Sequence, residues 1–404
     1  MNKILTKFRP HALKIKDAGG TLYIVGGAVR RFLMCQTPHD VDFCVCGLTV
    51  DTFKDLFPDA RQQGNQFPVF VVDDCEFAMA RTEKKVCAGY NGFEINSDPS
   101  VTIEEDLCRR DLTINSIAID VITGMIVDPF NGAEDLINGI ITPTSDAFKE
   151  DPVRVIRAAR FMCEYPTFRA SPTLIMYMLD LVHEIKLISD DHKFSELKKV
   201  FSSPKPSRYF NILNLGHALY ITFPEIYSLI GIPQAHHSDG DAFEHTMRVL
   251  DDCRELTDDP VCLFAALTHD LGKATTPTEI LPAHHDHETR SVEIIDKIDW
   301  VPNEWKYFAK VFAADHMRGH RFREMRRGKR VSLLERIHKS NRGLEGFCKV
   351  LYADKPTPGT MRDIALMHAT YAKIYSISGD DLPATTPKGE AFGKVLHQKR
   401  VEMI

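Results

Sequence analysis

Leu22-Tyr-Ile-Val-Gly-Gly-Ala-Val-Arg-Arg31, with Asp40-Val-Asp-Phe-Cys-Val45 close behind it, is the stretch on which the fold turns. Thr21 to Val25 is a short run of β-branched and aromatic residues, Gly26-Gly27 breaks it, and Ala28 to Met34 resumes as a helix-compatible segment. The pattern is strand, tight turn, helix. Two glycines let the backbone approach a phosphate, the first amides of the helix point at it, and Arg30 adds charge-assisted bonds; a plain turn is the competing reading. Val41 to Val45 reads as a second strand, whose side chains alternate between faces, so Asp40 and Asp42 are expected to point the same way. Neighbouring carboxylates repel, and a proton, solvent or a divalent cation relieves them. Beside a phosphate-binding turn the cation is favoured, as Mg²⁺ held by one or two carboxylates and substrate phosphates. A third carboxylate would anchor two metals about 4 Å apart. Glu76, opening the alternating stretch Glu76-Phe-Ala-Met-Ala-Arg81, is the candidate, with Asp73 and Asp74 as competitors. A solvated loop or surface hairpin explains the same acids without a metal.

Three more stretches carry the same chemistry: Arg109-Arg-Asp-Leu-Thr-Ile-Asn115, Asp128-Pro-Phe-Asn-Gly132 and Glu150-Asp-Pro-Val-Arg-Val-Ile-Arg-Ala-Ala-Arg-Phe161. One of Arg109 and Arg110 would clamp a triphosphate, with Asp111 and Asn115 bracing the segment. Glu150-Asp-Pro opens a helix, with acids at its N-terminus and proline in the first turn. Arg154, Arg157 and Arg160 recur every three residues on one broad face, while Val153, Ile156 and Phe161 supply apolar packing. An exposed helix with surface ion pairs is the bland alternative.

Taken in this order, the motifs resemble those of the class II tRNA nucleotidyltransferases, the CCA-adding enzymes of bacteria. The resemblance implies an α+β chain with a polymerase-β-like head, adding C, C and A to the 3′ end of tRNA from CTP and ATP without a template. It implies catalytic roles for Asp40, Asp42 and Glu76, with Mg²⁺ on the two aspartates. Gly27, Arg30 and Arg110 would bind the nucleotide, Arg110 being favoured over Arg109. Asp151 and Arg154 would hydrogen-bond the base edge in place of a template, an acceptor and a donor fork suiting cytosine and, after a shift, adenine. Arg157 and Arg160 would face the phosphates or the pocket wall. One position departs: the family usually has Asp where this chain has Arg31.

A second constellation lies in the C-terminal half, where His245, His269-Asp270, His284-His-Asp-His287, His316 and His320 gather. Phe264-Ala-Ala-Leu-Thr-His-Asp-Leu-Gly-Lys273 places His269 and Asp270 at the end of an apolar helix that Gly272 would terminate. This is similar to the HD phosphohydrolase superfamily, which implies His245, His269, Asp270 and Asp354 as metal ligands, with Asp315 as rival for the last place. His285, His287 and His316 are candidates for a second metal or for substrate phosphate. Mixed imidazole and carboxylate ligands suit Mn, Fe, Co, Ni or Zn better than Mg²⁺. The resemblance implies phosphatase or phosphodiesterase activity; a folded but inactive HD domain is the alternative.

The chain has 404 residues, 44% hydrophobic and 26% charged, the range of ordinary globular domains. No apolar run approaches the roughly 18 residues of a membrane span and no signal peptide is visible. Residues 1–18 read as a basic amphipathic surface helix. Ten scattered cysteines without a Cys-x-x-Cys pair exclude zinc knuckles and fit reduced thiols in the cytoplasm. A net charge of −6 argues against a generally nucleic-acid-coated surface. Local clusters remain: Arg318, Arg321, Arg323, Arg326, Arg327, Lys329 and Arg330 form one, and Lys14, Lys16, Lys84, Lys85, Lys198, Lys199, Lys205 and Arg208 lie in smaller ones that would follow an RNA backbone.

The expected organisation is a nucleotidyltransferase head over residues 1–140, a helical neck over 141–227, an HD domain over 236–357 and a tail over 358–404. Leu174 to Ile188 and Ser195 to Phe201 show helical spacing in the neck, and Pro233 to Gly240 reads as a linker. The expected partners are the tRNA 3′ end, CTP and ATP, without a membrane, the chain acting as monomer or homodimer. A poly(A) polymerase shares similar head motifs, but such enzymes carry a strongly basic C-terminal region and no HD domain, whereas the isoelectric point here is near 6.3. A non-catalytic RNA-binding module with dead sites is the third reading, favoured only by Arg31.

Overall fold

The computed structural model describes residues 1–38, 40–63, 69–85, 93–234, 240–383 and 388–404. Most of the expected 233–240 linker, and the side chains of Lys84 and Lys85, lie outside the described residues. The chain packs as two compact units, Met1–Ile188 with Leu215–Ala218, and Ser189–Asn214 with Leu219–Ile404.

The first unit opens with helix α1 (Asn2–Asp17), which buries Phe8, Ala12 and Ile15. Strand β1 (Thr21–Val25) runs into α2 (Gly27–Leu33) through Gly26, whose φ of 67° is in the left-handed region that glycine adopts without strain. Strand β2 (Asp42–Cys46) follows, then α3 (Val50–Leu56), capped by the Thr49 hydroxyl. Strands β3 (Arg61–Gln63), β4 (Val69–Val72) and β5 (Cys75–Met79) continue the sheet. Strands β6 (Thr82–Lys85) and β7 (Phe93–Asn96) form a separate ribbon. Helix α4 (Ile103–Cys108) starts with a reciprocal Thr102–Glu105 capping box, and β8 (Ala118–Asp120) and β9 (Ile126–Val127) complete the sheet. Among the described residues the sheet has the order β3-β4-β5-β2-β1-β8-β9.

The period of two along β2 divides the core. Phe43 and Val45 face one side, where Phe43 meets Phe8 and Phe77 at 4.6 Å between ring centroids, with Phe53, Phe57 and Phe70 behind. Cys44 faces the other side with Val25, Ala80, Ala118 and the α4 residues Ile103 and Leu107. Asp42 belongs to this second face.

Helices α5 (Gly132–Asn138), α6 (Val153–Glu164) and α7 (Pro172–Asp180) complete the unit. The helical spacing of Leu174 to Ile188 is cut short: α7 ends at Asp180, and Leu181, Ile185 and Ile188 are buried instead by turns that include a 3₁₀ segment at Ile185–Leu187. Tertiary burial is met there without a continuous helix.

The second unit is helical: α8 (Asp190–Phe201), α9 (Ser207–Leu215), α10 (Leu219–Thr222), α11 (Pro224–Tyr227), α12 (Ala242–Leu256), α13 (Pro260–Thr268), α14 (His287–Asp296), α15 (Asn303–Gly319), α16 (Arg327–Lys339), α17 (Gly343–Asp354), α18 (Pro358–Tyr375) and α19 (Glu390–Glu402). Helix α13 is apolar all round, and every residue from Val261 to Thr268 is buried, so it is the centre of the unit. Helices α12, α15 and α17 pack on it, with Val249, Leu250, Phe308, Phe312 and Phe347 between them. No helix among the described residues is long and apolar enough to cross a membrane.

Candidate active sites

In the first unit the parallel register pairs Asp42 of β2 with Glu76 of β5, and the antiparallel register pairs Asp42 with Val25, next to the Gly26 turn. Same-face neighbours on adjacent strands are in reach of one another. Asp42 and Glu76 therefore form an acidic edge at the end of the Cys44 face. Asp40 reaches this edge differently from the expectation. The strand begins at Asp42, one residue later than Val41, and Asp40 has a φ of 53°, so it stands in the connecting bend outside the strand's alternation. Its charge is still felt by Asp42: partial burial, then Glu76 and Asp40, push the Asp42 carboxyl up to about 6 against the pull of Arg110. Asp73 and Asp74 are not at this edge; with φ of 48° and 61° they make the tight turn between β4 and β5, where Asp73 lies 3.2 Å from His11.

Arg110 follows α4 onto the acidic face. A Cβ on Gly26 would lie 3.4 Å from its guanidinium and 4.0 Å from an Asp42 oxygen, so the bare glycine lets turn, arginine and acid converge. The buried Asp106 holds both arginines, at 2.9 Å from Arg110 and 2.7 Å from Arg109. Burial works against its charge, but Arg110 and Arg109 outweigh it and keep the carboxyl below its usual range. Arg109 turns away to Glu83 and the Arg81 carbonyl. Sequence reasoning did not single out Asp106; its place three and four residues before the arginine pair was the available signal.

Beneath the turn, Arg30 is buried, donating to the Tyr165 hydroxyl at 2.9 Å and to Asn115. Asn115 donates to Asp111 at 2.9 Å, and Asp111 accepts from Arg157 at 2.9 Å. Burial raises the Asp111 carboxyl, yet Arg157 and Asn115 prevail and hold it at about 2. Asp151 caps α6 by accepting from the Val153 amide, and Arg154 is buried with Nη1 on the Ala147 carbonyl at 2.8 Å. Arg160 pairs with Glu164 at 3.0 Å and lies over the Phe161 ring. Glu164 also lies 3.7 Å from Arg30 and 3.9 Å from Arg31, so the departing Arg31 has an acid beside it.

In the second unit, α12, the end of α13, α14, α15 and α17 bring their polar residues to one buried point. Asp270 is the hub: its Oδ2 lies 3.1 Å from His269 and 3.5 Å from His245, and its Oδ1 lies 3.3 Å from His287 and 3.7 Å from His316. Asp354 closes the ring at 3.1 Å from His245 and 3.6 Å from His269, and is held by His320 at 2.7 Å. Asp315 lies elsewhere, paired with Arg318 and Arg336. His284 turns to the Pro233 carbonyl.

This constellation fits a metal. Nε2 of His269 and Oδ1 of Asp270 are buried and make no hydrogen bond among the described residues, a costly state that a cation would relieve. Two groups have donor atoms converging within 4.8 Å, His245 with His269 and Asp270, and Asp270 with His287 and His316. The Nδ1 atoms of His269, His287 and His316 face the carbonyls of Ala266, His284 and Ala313, which orients Nε2 inward. Burial pushes His316 down to about 3, leaving the neutral imidazole that ligates metal.

Gly272 acts otherwise than expected. It does not stop α13 in the left-handed conformation but sits in a 3₁₀ turn at Leu271–Thr275, where a Cβ would lie 2.1 Å from the His287 carbonyl. Its value is close approach of the His-Asp turn to α14. Lys273, which the sequence reading passed over, is buried with Nζ 2.6 Å from Asp270; its place just after that glycine was the only signal.

Comparison with known proteins finds a family match in each unit. Residues 22–142 match the poly A polymerase head domain family and residues 242–342 the HD domain family. Solved structures of similar fold include the Bacillus stearothermophilus CCA-adding enzyme in complex with CTP, at TM-score 0.64 and 21% identity, covering 96% of this chain and 90% of that one. Another is the Thermotoga maritima CCA-adding enzyme complexed with tRNA, at TM-score 0.67 and 17% identity, covering 99% and 91%. A multifunctional CCA protein of Paraburkholderia phymatum is 40% identical over 78% of each chain. With 37% identity to the multifunctional CCA protein of Thioalkalivibrio sulfidiphilus, over 95% of this chain and 97% of that one, the chain belongs to the multifunctional CCA protein family.

Proposed function

We propose that the chain adds C, C and A to the 3′ end of tRNA from CTP and ATP, and that its HD site hydrolyses a phosphate ester. The observation that carries the first activity is the in-register pair Asp42–Glu76 with Asp40 and Arg110 beside it at the Gly26 turn. A raised carboxyl beside two further acids is a site prepared for divalent cations. Mg²⁺ held by Asp40 and Asp42, with Glu76 alongside, would supply charge neutralisation for the triphosphate and the attacking 3′-hydroxyl. The protein's own part is positioning. Gly27 and Arg30 line the phosphate turn, Arg110 neutralises charge on the triphosphate, and Asp151 with Arg154 reads the base edge once released from their cap and carbonyl contacts. Arg157 and Arg160 form the wall beside them. Attack of the 3′-hydroxyl oxygen on the α-phosphorus, its proton passing to a carboxylate of the acidic edge, forms the new phosphodiester as the bond to the β-phosphate oxygen breaks and pyrophosphate leaves.

At the second site His245, His269, Asp270 and Asp354 would hold one transition-metal ion, and Asp270, His287 and His316 a second. Such a centre supplies an activated water and charge for a phosphoryl group. Against burial, His269 and then Lys273 hold the Asp270 carboxyl well below its usual range. We assign residues 1–140 to the head, 141–227 to the neck, 236–357 to the HD domain and 358–404 to the tail.

The test is incubation with tRNA lacking CCA and with CTP, ATP or both. Two C additions with CTP, and a single terminal A only when both are supplied, is the expected pattern. Long A tails with ATP alone would establish instead the poly(A) polymerase reading, which the head-domain match at residues 22–142 also fits.

A further inference from the structure

Within the basic run 318–330, two groups of residues differ in their contacts. Arg323 is spent on Asp363 at 2.9 Å, and Arg330 on the carbonyls of Phe322 and Arg323. These are structural. Arg318, Arg326 and Lys329, joined by Arg336 from outside the run, instead line a cavity of about 420 Å³ with Met325 and Ser332. Behind two of these cations Asp315, only 1% exposed, accepts from Arg318 at 2.8 Å and from both ends of the Arg336 fork at 2.7 and 2.8 Å. One buried carboxylate thus fixes two guanidinium groups whose side chains stay 58% and 48% exposed. Arg326, the N-cap of α16, and Lys329 from its first turn add two cations that have no side-chain partner among the described residues. Four cations against one satisfied acid leave a net positive cavity on a chain of net charge −6. Placing like charges so close is unfavourable unless an anion joins them.

We infer that this cavity is a second, non-catalytic contact of the chain with RNA, holding consecutive phosphates of the tRNA backbone. The lining favours a backbone over a free nucleotide. It has no aromatic side chain for a base to stack on and no carboxylate or amide facing a base edge, so recognition rests on phosphate charge alone. Guanidinium groups held in place by Asp315 lose little freedom on binding, which favours bidentate phosphate contacts. The inference rests on the proposed action on tRNA but concerns a different surface from either catalytic centre.

The test uses the full chain and its Arg326→Gln/Lys329→Gln and Arg326→Glu/Lys329→Glu variants, with a labelled tRNA transcript lacking CCA, by fluorescence anisotropy between about 50 and about 200 mM salt. Expected are affinities about tenfold weaker for the neutral variant at about 100 mM salt, weaker still for the reversed one, and a salt slope smaller by about 1 to 2. Melting temperature should be unchanged, and so should the rate of C addition at saturating tRNA. Unchanged affinity and slope would overturn the inference. If the unsubstituted chain binds truncated tRNA yet transfers no nucleotide, the proposed activity fails and the cavity stands. If it transfers nucleotides and the variants bind tRNA normally, the reverse holds.

Discussion

Arg31 illustrates how one side chain is judged by what surrounds it. This chain places Arg31 3.9 Å from Glu164, which also serves Arg30 and Arg160. A single partly exposed pair contributes little, so Arg31→Ala should change stability by less than about 0.5 kcal/mol. Arg31→Asp sets a like charge against Glu164 and loosens its hold on Arg30. It should cost about 1 kcal/mol in urea unfolding and raise KM for CTP several-fold with kcat less affected; equal behaviour of the two variants would remove Glu164 from the account of Arg31. The second residue-scale case is Asp111. Its folded carboxyl is depressed from 3.8 to about 2, so its contribution is complete above the unfolded value and is lost as pH falls through the folded one. Asp111→Asn should therefore unfold more easily by about 2 kcal/mol at pH 7, with the gap to the unsubstituted chain closing between pH 4 and pH 2. Urea titrations at these pH values measure it, and a gap independent of pH would show that the Arg157 pair is not its source.

At the scale of elements, the turn between α13 and α14 has a specific vulnerability. A methyl group on Gly272 would lie 2.1 Å from the His287 carbonyl and 2.6 Å from the Ser291 amide, both backbone atoms of α14 that cannot swing aside. Gly272→Ala should push the His269–Asp270 turn away from His287. The expected result is at least a tenfold loss of phosphohydrolase rate with reduced metal content by mass spectrometry, while C addition stays near normal. Retention of both metal and hydrolysis would place the turn elsewhere. Such close approaches explain what the sequence could and could not disclose. The apolar run Thr21–Val25, its glycine break and the alternation around Asp42 are local, and β1, β2 and β5 follow them closely. The start of β2 at Asp42 was not legible, because the left-handed Asp40 is a backbone choice made by the bend before the strand. Nor was the backbone contact of Gly272, the hold of Asp106 on two arginines or the burial of Lys273, each of which depends on which element packs over it.

At the scale of the whole molecule, the chain divides its chemistry as it divides its packing. Asp40, Asp42 and Glu76 lie in the unit built on the seven-stranded sheet, while His245, His269, Asp270 and Asp354 lie in the helical unit. Each cluster is completed by neighbours within its own unit: Asp42 answers to Glu76, Arg110 and Asp40, and Asp270 to His269, Lys273 and His287. Perturbing one hub should leave the other's local electrostatics intact, since the charged groups that act on each lie within its own unit. Asp42→Asn should thus abolish nucleotide addition, with a rate loss of about 10³-fold or more, and leave phosphohydrolase activity within about twofold. Asp270→Asn should do the opposite and also empty the transition-metal site by mass spectrometry. Each variant is assayed as the whole 404-residue chain, with truncated tRNA and with a chromogenic phosphate ester. If Asp270→Asn also stops C addition while melting as before, the two centres are energetically linked and the division by packing is not a division of function.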